Sequence, residues 1–369
     1  LRILFSWFRK LKNRRKGTNF PSIHARHPPA IVFDPYIFLP GAAETASRAA
    51  IPSPAKSLPA PHAASAALHL FCYLCSMKRF ATILVLCCAA TFGARAQGTL
   101  HMPADAKSMG MGGIRTTTPS ASHAIYTNAA SAAFSRQRLQ LSGSYFSPDD
   151  RDCYIASGQY NIDNRNFLLA GWRQYRIDAR NNDMSADLGY TRRIDDRWAV
   201  GVTARYLRVK APHAAADALA ADLSVLHILP LEGIGHYTTL RIGGRLADIG
   251  GWVSGSHAAL PLNLAAGAAF DTFVTDAHEV TLGVDAGYCF TPGDVRGFQA
   301  SVGAEYNLMQ LLQLRAGYHF GAREAYYPNY ASLGAGVRFM HLRLDFAYLF
   351  AARDTFLRNT WSVSFGFDF

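Results

Sequence analysis

The chain has 369 residues, half of them hydrophobic, with a mean hydropathy of +0.01, 17% charged residues and a formal net charge of +11. So little charge, together with 30 Gly, 23 Phe and 17 Tyr, excludes a disordered or coiled-coil chain. The positive excess sits wholly in residues 1–97, which hold 13 Lys/Arg against Asp34 and Glu44, while residues 98–369 carry 24 charges of each sign. A fold that grips nucleic acid needs basic residues gathered on its surface, so nucleic acid is not an expected partner.

Residues 1–76 begin with Leu1, pass through a basic run from Arg9 to Lys16 and continue as Pro/Ala-rich text without a lasting period. They are expected to be an upstream extension, disordered, because the first methionine is Met77. Residues 77–96 are organised as a secretory signal peptide. Lys78 and Arg79 form its positive start, Phe80–Phe92 its apolar stretch, and Ala94 and Ala96 frame a cleavage that leaves Gln97 first. Cys72, Cys75, Cys87 and Cys88 fall before that point, so the Cys72-x-x-Cys75 spacing is no metal or redox signal. Cys153 and Cys289 remain, inside predicted strands far apart in order, and are expected as free thiols.

From Arg136 onward the chain alternates strictly. Phe298, Ala300, Val302, Ala304 and Tyr306 interleave with Gln299, Ser301, Gly303, Glu305 and Asn307, and Leu312–Phe320, Leu342–Phe350 and Trp361–Phe369 repeat the pattern. Period two puts each set on its own face of a strand. The apolar faces end in aromatics (Tyr145, Tyr160, Tyr190, Tyr206, Tyr288, Tyr306, Tyr318, Tyr348), while the other faces carry small residues and charges. Strands of uniform length, 9–12 residues, with an apolar outside and a polar inside fit a bilayer-spanning sheet, which must close on itself. Fourteen segments follow: Arg136–Phe146, Asp152–Ile162, Asn166–Tyr175, Asp183–Ile194, Arg197–Val209, Ala218–Leu229, Thr238–Ile249, Leu262–Phe270, His278–Phe290, Gly297–Asn307, Leu311–Phe320, Tyr330–Phe339, His341–Phe350 and Thr360–Phe369. The sixth and seventh have the weakest pattern. Asp149-Asp150, Asp163-Asn164, Asn181-Asn182, Asp195-Asp196 and Pro292-Gly293 read as hairpin turns, leaving only Lys210–Asp217 and Gly250–Pro261 for longer loops. The expected fold is all-β, a closed antiparallel transmembrane barrel over residues 136–369.

Residues 97–135 precede the barrel. The stretch Ala104–Gly113, with Asp105-Ala106-Lys107 and Met109-Gly110-Met111-Gly112-Gly113, and the stretch His123–Ala130, with Tyr126 and Asn128, resemble the opening of the PorV/PorQ family. That family lies within the FadL-like outer-membrane barrels. Arg241–Gly250, Leu260–Gly267, Val302–Tyr306 and Leu314–Tyr318 resemble its later motifs in the same order, with Ala129 where the family has Pro and Asp248 where it has Asn. The resemblance implies a fourteen-stranded barrel with residues 97–135 folded into the lumen as a hatch or plug. It also implies an outer-membrane location in Bacteroidetes and a non-enzymatic part in type IX protein secretion or cell-surface attachment. Secretion-system components or secreted cargo would be partners, alongside outer-membrane lipid and the barrel assembly machinery. The alternative within the same superfamily is a channel for hydrophobic small molecules, and a purely structural barrel is a third possibility.

The hatch residues singled out are Met109, Gly110, Met111, Gly112, Gly113, Tyr126 and Asn128, since glycines cross a crowded interior and Met fills irregular gaps. Charges on the inward faces of late strands, Glu305, Arg315, Arg338, Arg343 and Asp345, read either as an ionic lining that meets the hatch or selects solutes, or as cross-strand pairs that fix register. Phe365, Phe367 and Phe369 resemble the C-terminal assembly signal of outer-membrane barrels. No Gly-x-Ser-x-Gly element, zinc-ligand spacing or P-loop occurs, so no enzyme activity, metal or cofactor is expected.

Overall fold

A computed structural model describes residues 103–118, 121–148, 151–176, 182–211, 214–232, 236–255, 259–293, 296–321, 328–352 and 355–369. The upstream extension, the signal peptide with Ala94, Ala96 and Gln97, and the turn residues Asp149, Asp150 and Asn181 lie outside the described residues.

The alternating segments form fourteen strands: β1 (Leu139–Ser147), β2 (Asp152–Asn161), β3 (Asn166–Arg176), β4 (Asn182–Arg193), β5 (Trp198–Ala211), β6 (Ala214–Leu231) and β7 (His236–Ser254), then β8 (Asn263–Thr275), β9 (His278–Cys289), β10 (Gly297–Leu308), β11 (Leu312–Phe320), β12 (Tyr330–Phe339), β13 (Leu342–Ala351) and β14 (Trp361–Asp368). Each pairs antiparallel with its neighbours in sequence, and β1 pairs with β14 from Gln140↔Asp368 to Ser147↔Trp361, which closes the barrel. The end that carries Phe369 is called the base here, and the opposite end the rim. Asp163 and Asp195 accept hydrogen bonds from backbone N–H groups two and three residues on, as turn residues at the base should.

The exposed large side chains form a band around every strand, with Leu168, Leu188, Val202, Leu223, Ile242, Leu264, Val284, Val302, Leu314, Leu333, Phe346 and Phe365 among them. An apolar surface this continuous is stable against hydrocarbon and not against water. Tyr160, Tyr190 and Tyr306 ring its base edge, and Tyr145, Tyr206, Tyr288, Tyr318 and Tyr348 its rim edge. No helix among the described residues is long and apolar enough to cross a membrane. Cys153 and Cys289 are buried free thiols.

Strand length is not uniform. β6 has 18 residues and β7 has 19, so the loop expected at Lys210–Asp217 is mostly strand and the one at Gly250–Pro261 starts only after Ser254. The reason lies in composition and phase. Ala214–Ala221 is mostly alanine, which fits either face, and at Asp217/Ala218 and Ala221/Leu223 the pairing with β7 takes an extra residue of β7, so the alternation of β7 shifts twice.

Residues 103–118 and 121–135 run inside the barrel. A short helix α1 (Ala106–Gly110) is capped by the Asp105 carboxylate, which accepts from the Ser108 N–H at 3.0 Å, and two 3-10 turns follow at Ala121–Tyr126 and Ala129–Phe134. The backbone of this inner segment lies directly on the wall where inward positions are glycine. A Cβ on Gly303 would collide with the Met111 carbonyl, one on Gly317 with Met111 and Gly112, and one on Gly243 with the Thr116 carbonyl. On Gly201 it would stand 2.8 Å from the Ala130 nitrogen, and on Gly334 3.1 Å from the Gly110 Cα. Register makes this a belt: Gly303 pairs with Gly283 on one side and Gly317 on the other, and Gly243 pairs with Gly267.

The belt predicts a position-specific cost. Gly317→Ala should destabilise the folded chain by about 1–3 kcal/mol, as overpacking does, and loosen the inner segment. Gly251→Ala, where an added Cβ meets nothing within 4 Å, should be neutral. Heat-modifiable gel mobility with limited proteolysis of residues 103–135 distinguishes the two; equal behaviour of both variants would contradict the close approach.

Candidate functional site

The lumen and the segment that fills it form the candidate site. Met109, Gly110, Met111, Gly112, Gly113, Tyr126 and Asn128 are all buried there. Their roles differ. Met109 packs in the apolar cluster with Ala106, Ile125, Tyr126, Phe146, Ile155, Tyr330 and Leu349. Gly112 and Gly113 have φ of 71° and 85°, a left-handed turn that ordinary residues resist. This turn aims the Gly112 N–H at the Ser332 hydroxyl (2.9 Å), which itself donates to the Gly110 carbonyl (3.0 Å). Asn128 ties two distant pieces together, donating from its amide to the Thr116 carbonyl (2.7 Å) and to the Val225 carbonyl of β6 (3.0 Å).

Of the five inward charges expected on late strands, three come together. Arg315 on β11 donates to Glu305 on β10 through a short contact and to Asp345 on β13 at 2.6 Å. Lys107 of α1 reaches Glu305 at 3.3 Å. The cluster therefore meets the inner segment as well as fixing register. Arg343 instead clasps Asp368 on β14, with both bonds 2.8 Å, and Gln140 donates to the same carboxylate. Arg338 forms no ion pair or hydrogen bond among the described residues. Burial holds the Lys107 ammonium below its ordinary pKa, against the pull of Glu305.

A second ionic cluster, on the early strands, was not expected. Arg205 of β5 is held by Asp187 (2.5 Å), Asp222 (3.2 Å) and Asp248, the last through a short contact. Arg245 donates to Asp222 (2.6 Å) and to the Tyr126 carbonyl of the inner segment (3.1 Å). Asp222 faces inward by the unbroken β5–β6 register, opposite Thr203, and the left-handed Asp248 (φ 60°), where the β6–β7 register shifts, turns its carboxylate toward the same guanidinium. Arg173 stacks over the Tyr126 ring at 5.0 Å. The alternation of β4 and β5 could have found Asp187 and Arg205, since it puts them on the same inward face as Ser185 and Thr203; Asp248 is hidden by the register shift in β7.

Two further anchors hold the segment. Asp285 on β9 accepts from the backbone N–H groups of Arg115 (2.6 Å) and Thr116 (2.9 Å), and from the Thr116 hydroxyl through a short contact. His123 is pinned by Ser144 on β1 (2.8 Å) and Ser157 on β2 (2.7 Å). No group of three or more His, Cys, Asp or Glu side chains arranged to hold a metal occurs among the described residues. Phe365, Phe367 and Phe369 stand exposed on the outer face at the base, with Phe367 and Phe369 stacked at 6.4 Å.

The sequence matches no family model and no curated protein. The fold is similar to that of a solved structure described as the TodX monoaromatic hydrocarbon channel deltaS2 mutant. The TM-score is 0.50 and the identity 14%, covering 73% of this chain and 99% of that one. The Ralstonia pickettii toluene transporter TbuX matches with TM-score 0.44, identity 12% and coverage of 72% and 96%. A Pseudomonas aeruginosa FadL homologue matches with TM-score 0.42, identity 11% and coverage of 72% and 98%. The likeness to TodX agrees with the resemblance at the level of the barrel fold; nothing in it singles out the PorV/PorQ branch.

His123 makes docking of the inner segment pH-dependent. Burial lowers its pKa from 6.5 to about 4, so the folded state favours neutral imidazole more than the unfolded chain does. Its contribution is complete above about pH 6.5 and falls as pH drops toward 4, at roughly 1.4 kcal/mol per unit. Proteolytic protection of residues 103–135 should weaken over that window, and His123→Gln should flatten the dependence. An unchanged profile in the variant would contradict this role.

Proposed function

We propose that the chain is an outer-membrane channel of FadL-like type that passes small hydrophobic compounds, with residues 103–135 as its hatch. The observation that carries this reading is a closed barrel, apolar outside, whose lumen is filled by a separate N-terminal segment seated on the wall by packing and by side-chain hydrogen bonds and ion pairs. Such contacts can be exchanged for water or for a passing solute more readily than the ladder of the wall itself. The lumen is also graded. Toward the rim, Phe146, Ile155, Tyr175, Tyr330, Leu349 and Leu357 make an apolar cluster, whereas the base is lined by glutamines and charges. A buried apolar cluster at one end of the lumen suits passage of a hydrophobic compound once the hatch moves, and the solved TodX structure, by its own description a monoaromatic hydrocarbon channel, supports the same use.

The secretion or attachment role implied by the sequence resemblance has no support among the comparisons, and secretion-system components and cargo leave the expected partners with it. Lipid around the band and assembly machinery at Phe365, Phe367 and Phe369 stay as partners in this reading.

Uptake measurements test it. A strain lacking the gene should lose uptake of radiolabelled toluene or oleate, and the wild-type gene should restore it. In an Ala106→Cys/Ser364→Cys variant, the crosslink would join α1 to β14 where the Ala106 nitrogen and Ser364 hydroxyl already lie 2.8 Å apart. Uptake should then fail when oxidised and return on reduction. Unchanged uptake in the deletion strain, with altered secreted proteins, would transfer the function back to secretion.

A further inference from the structure

The base edge of the wall is charged unevenly. Along β1 to β5 it carries Arg136, Arg138, Arg165, Arg192 and Arg197, all exposed and none in an ion pair among the described residues. The acids of the same stretch are already engaged. Asp163 and Asp195 accept turn N–H groups, Asp196 pairs with Arg193 at 3.0 Å, and the Phe369 main-chain oxygen accepts from the N–H groups of Arg138 and Leu139. Further round, on β6 to β9, the edge carries Glu232, Asp276 and Glu279 instead, and Arg241 there is closed by Asp271. Charge that served solubility alone would have no reason to change sign around the ring.

Two of the unpaired guanidinium groups border the lipid-facing surface. Arg192 follows Leu188 and Tyr190 on the outer face of β4 and lies opposite Asn166 of β3. Arg138, whose carbonyl accepts from the Asn161 N–H of β2, leans over the Tyr160 ring at 5.8 Å and donates to its hydroxyl at 3.1 Å. Arg138 and Arg192 therefore stand nearly level, three strands or roughly 14 Å apart at about 4.8 Å per strand, with Tyr160 between them. One step away from the base, the exposed Leu168 and Tyr190 begin the apolar band. Hydrocarbon-facing side chains, then aromatic rings, then guanidinium groups is the order in which a lipid presents its acyl chains, glycerol and phosphate. Guanidinium takes phosphate oxygens in pairs, and aromatic rings settle at headgroup level.

We infer that the base edge of β1 to β4 is a docking site for an anionic glycerophospholipid, its phosphate held by Arg138 and Arg192 and its negative headgroup attracted by Arg165. The choice of lipid follows from orientation. Connections at the base are short, as at Asp276-Ala277 and Met340-His341, whereas the longest, 321–329 and 352–360, lie at the rim. Bacterial barrels keep short turns on the periplasmic side, so the base meets the phospholipid leaflet and the rim the lipopolysaccharide. The inference rests on the outer-membrane placement of the proposed function and not on what crosses the lumen.

Native mass spectrometry of the purified full chain tests it, with phosphatidylglycerol, phosphatidylethanolamine of the same acyl chains, or lipid A added in detergent. Phosphatidylglycerol should be retained at least tenfold more tightly than phosphatidylethanolamine. Arg138→Gln/Arg165→Gln/Arg192→Gln should abolish that preference, and Arg192→Gln alone, which breaks no contact within the protein, should weaken it several-fold. Arg176→Gln/Arg208→Gln/Arg296→Gln removes as many charges from the rim and should leave the preference intact. Heat-modifiable mobility verifies that each variant has folded. Equal retention of the two phospholipids, equal losses in the base and rim variants, or tighter retention of lipid A through the same base arginines would overturn the assignment. Lipid retention is read on purified protein and uptake in cells, so failure here and failure of the channel reading are separate results.

Discussion

The close approach of one backbone to another inside the barrel is the constraint on which the rest depends. A fourteen-stranded wall leaves more room than its own side chains can fill, and this chain fills that space with residues 103–135. The filling works because the wall withdraws its side chains along a belt of inward glycines, so that Met111, Gly112 and Thr116 rest on main chain instead of on side chains. Packing of this kind tolerates no added carbon, since something must shift to make room. The left-handed pair Gly112-Gly113 then turns the segment from the late strands toward β9, where Asp285 receives the N–H groups of Arg115 and Thr116.

Electrostatics fastens the segment at points on opposite walls. Lys107 joins the Glu305–Arg315–Asp345 cluster on β10, β11 and β13, and Arg245 of the Arg205 cluster donates to the Tyr126 carbonyl. Buried ions cost desolvation that pairing only partly returns, so these clusters are better understood as fixing where the segment sits than as sources of stability. Breaking one partner would strand the others in the interior.

The barrel was legible because alternation is a local property. Phe298–Tyr306 or Trp361–Phe369 announce which face each residue takes without reference to any other strand, and the observed boundaries of β2, β9, β10 and β12 follow that reading to within a residue. Where alternation failed, so did the expectation, since the alanines of β6 carry no phase and the irregular pairing with it resets the phase of β7. The partners of inward charges depend on register between strands, which no single strand encodes. Thus Glu305, Arg315, Arg343 and Asp345 were legible as inward charges, whereas the pairing of Arg315 with Glu305 and Asp345, of Arg343 with Asp368 and of Arg205 with Asp222 was not. The glycines were read as small lumen residues, and their use as a seat appears only once Gly283, Gly303 and Gly317 are seen side by side. The resemblance to a secretion-associated branch rested on short motifs in order, which speak for a barrel fold more firmly than for a role.

Hydrogen exchange of the purified full chain, resolved to single amides, tests the central claim most directly. The N–H groups of Gly112, Arg115, Thr116 and Ala130, which donate to Ser332, Asp285 and Asn128, should exchange as slowly as amides in the middle of the wall strands. Exchange of these four at the rate of a free peptide, while β1–β14 stay protected, would mean that the segment does not seat on the wall and that the lumen is filled some other way.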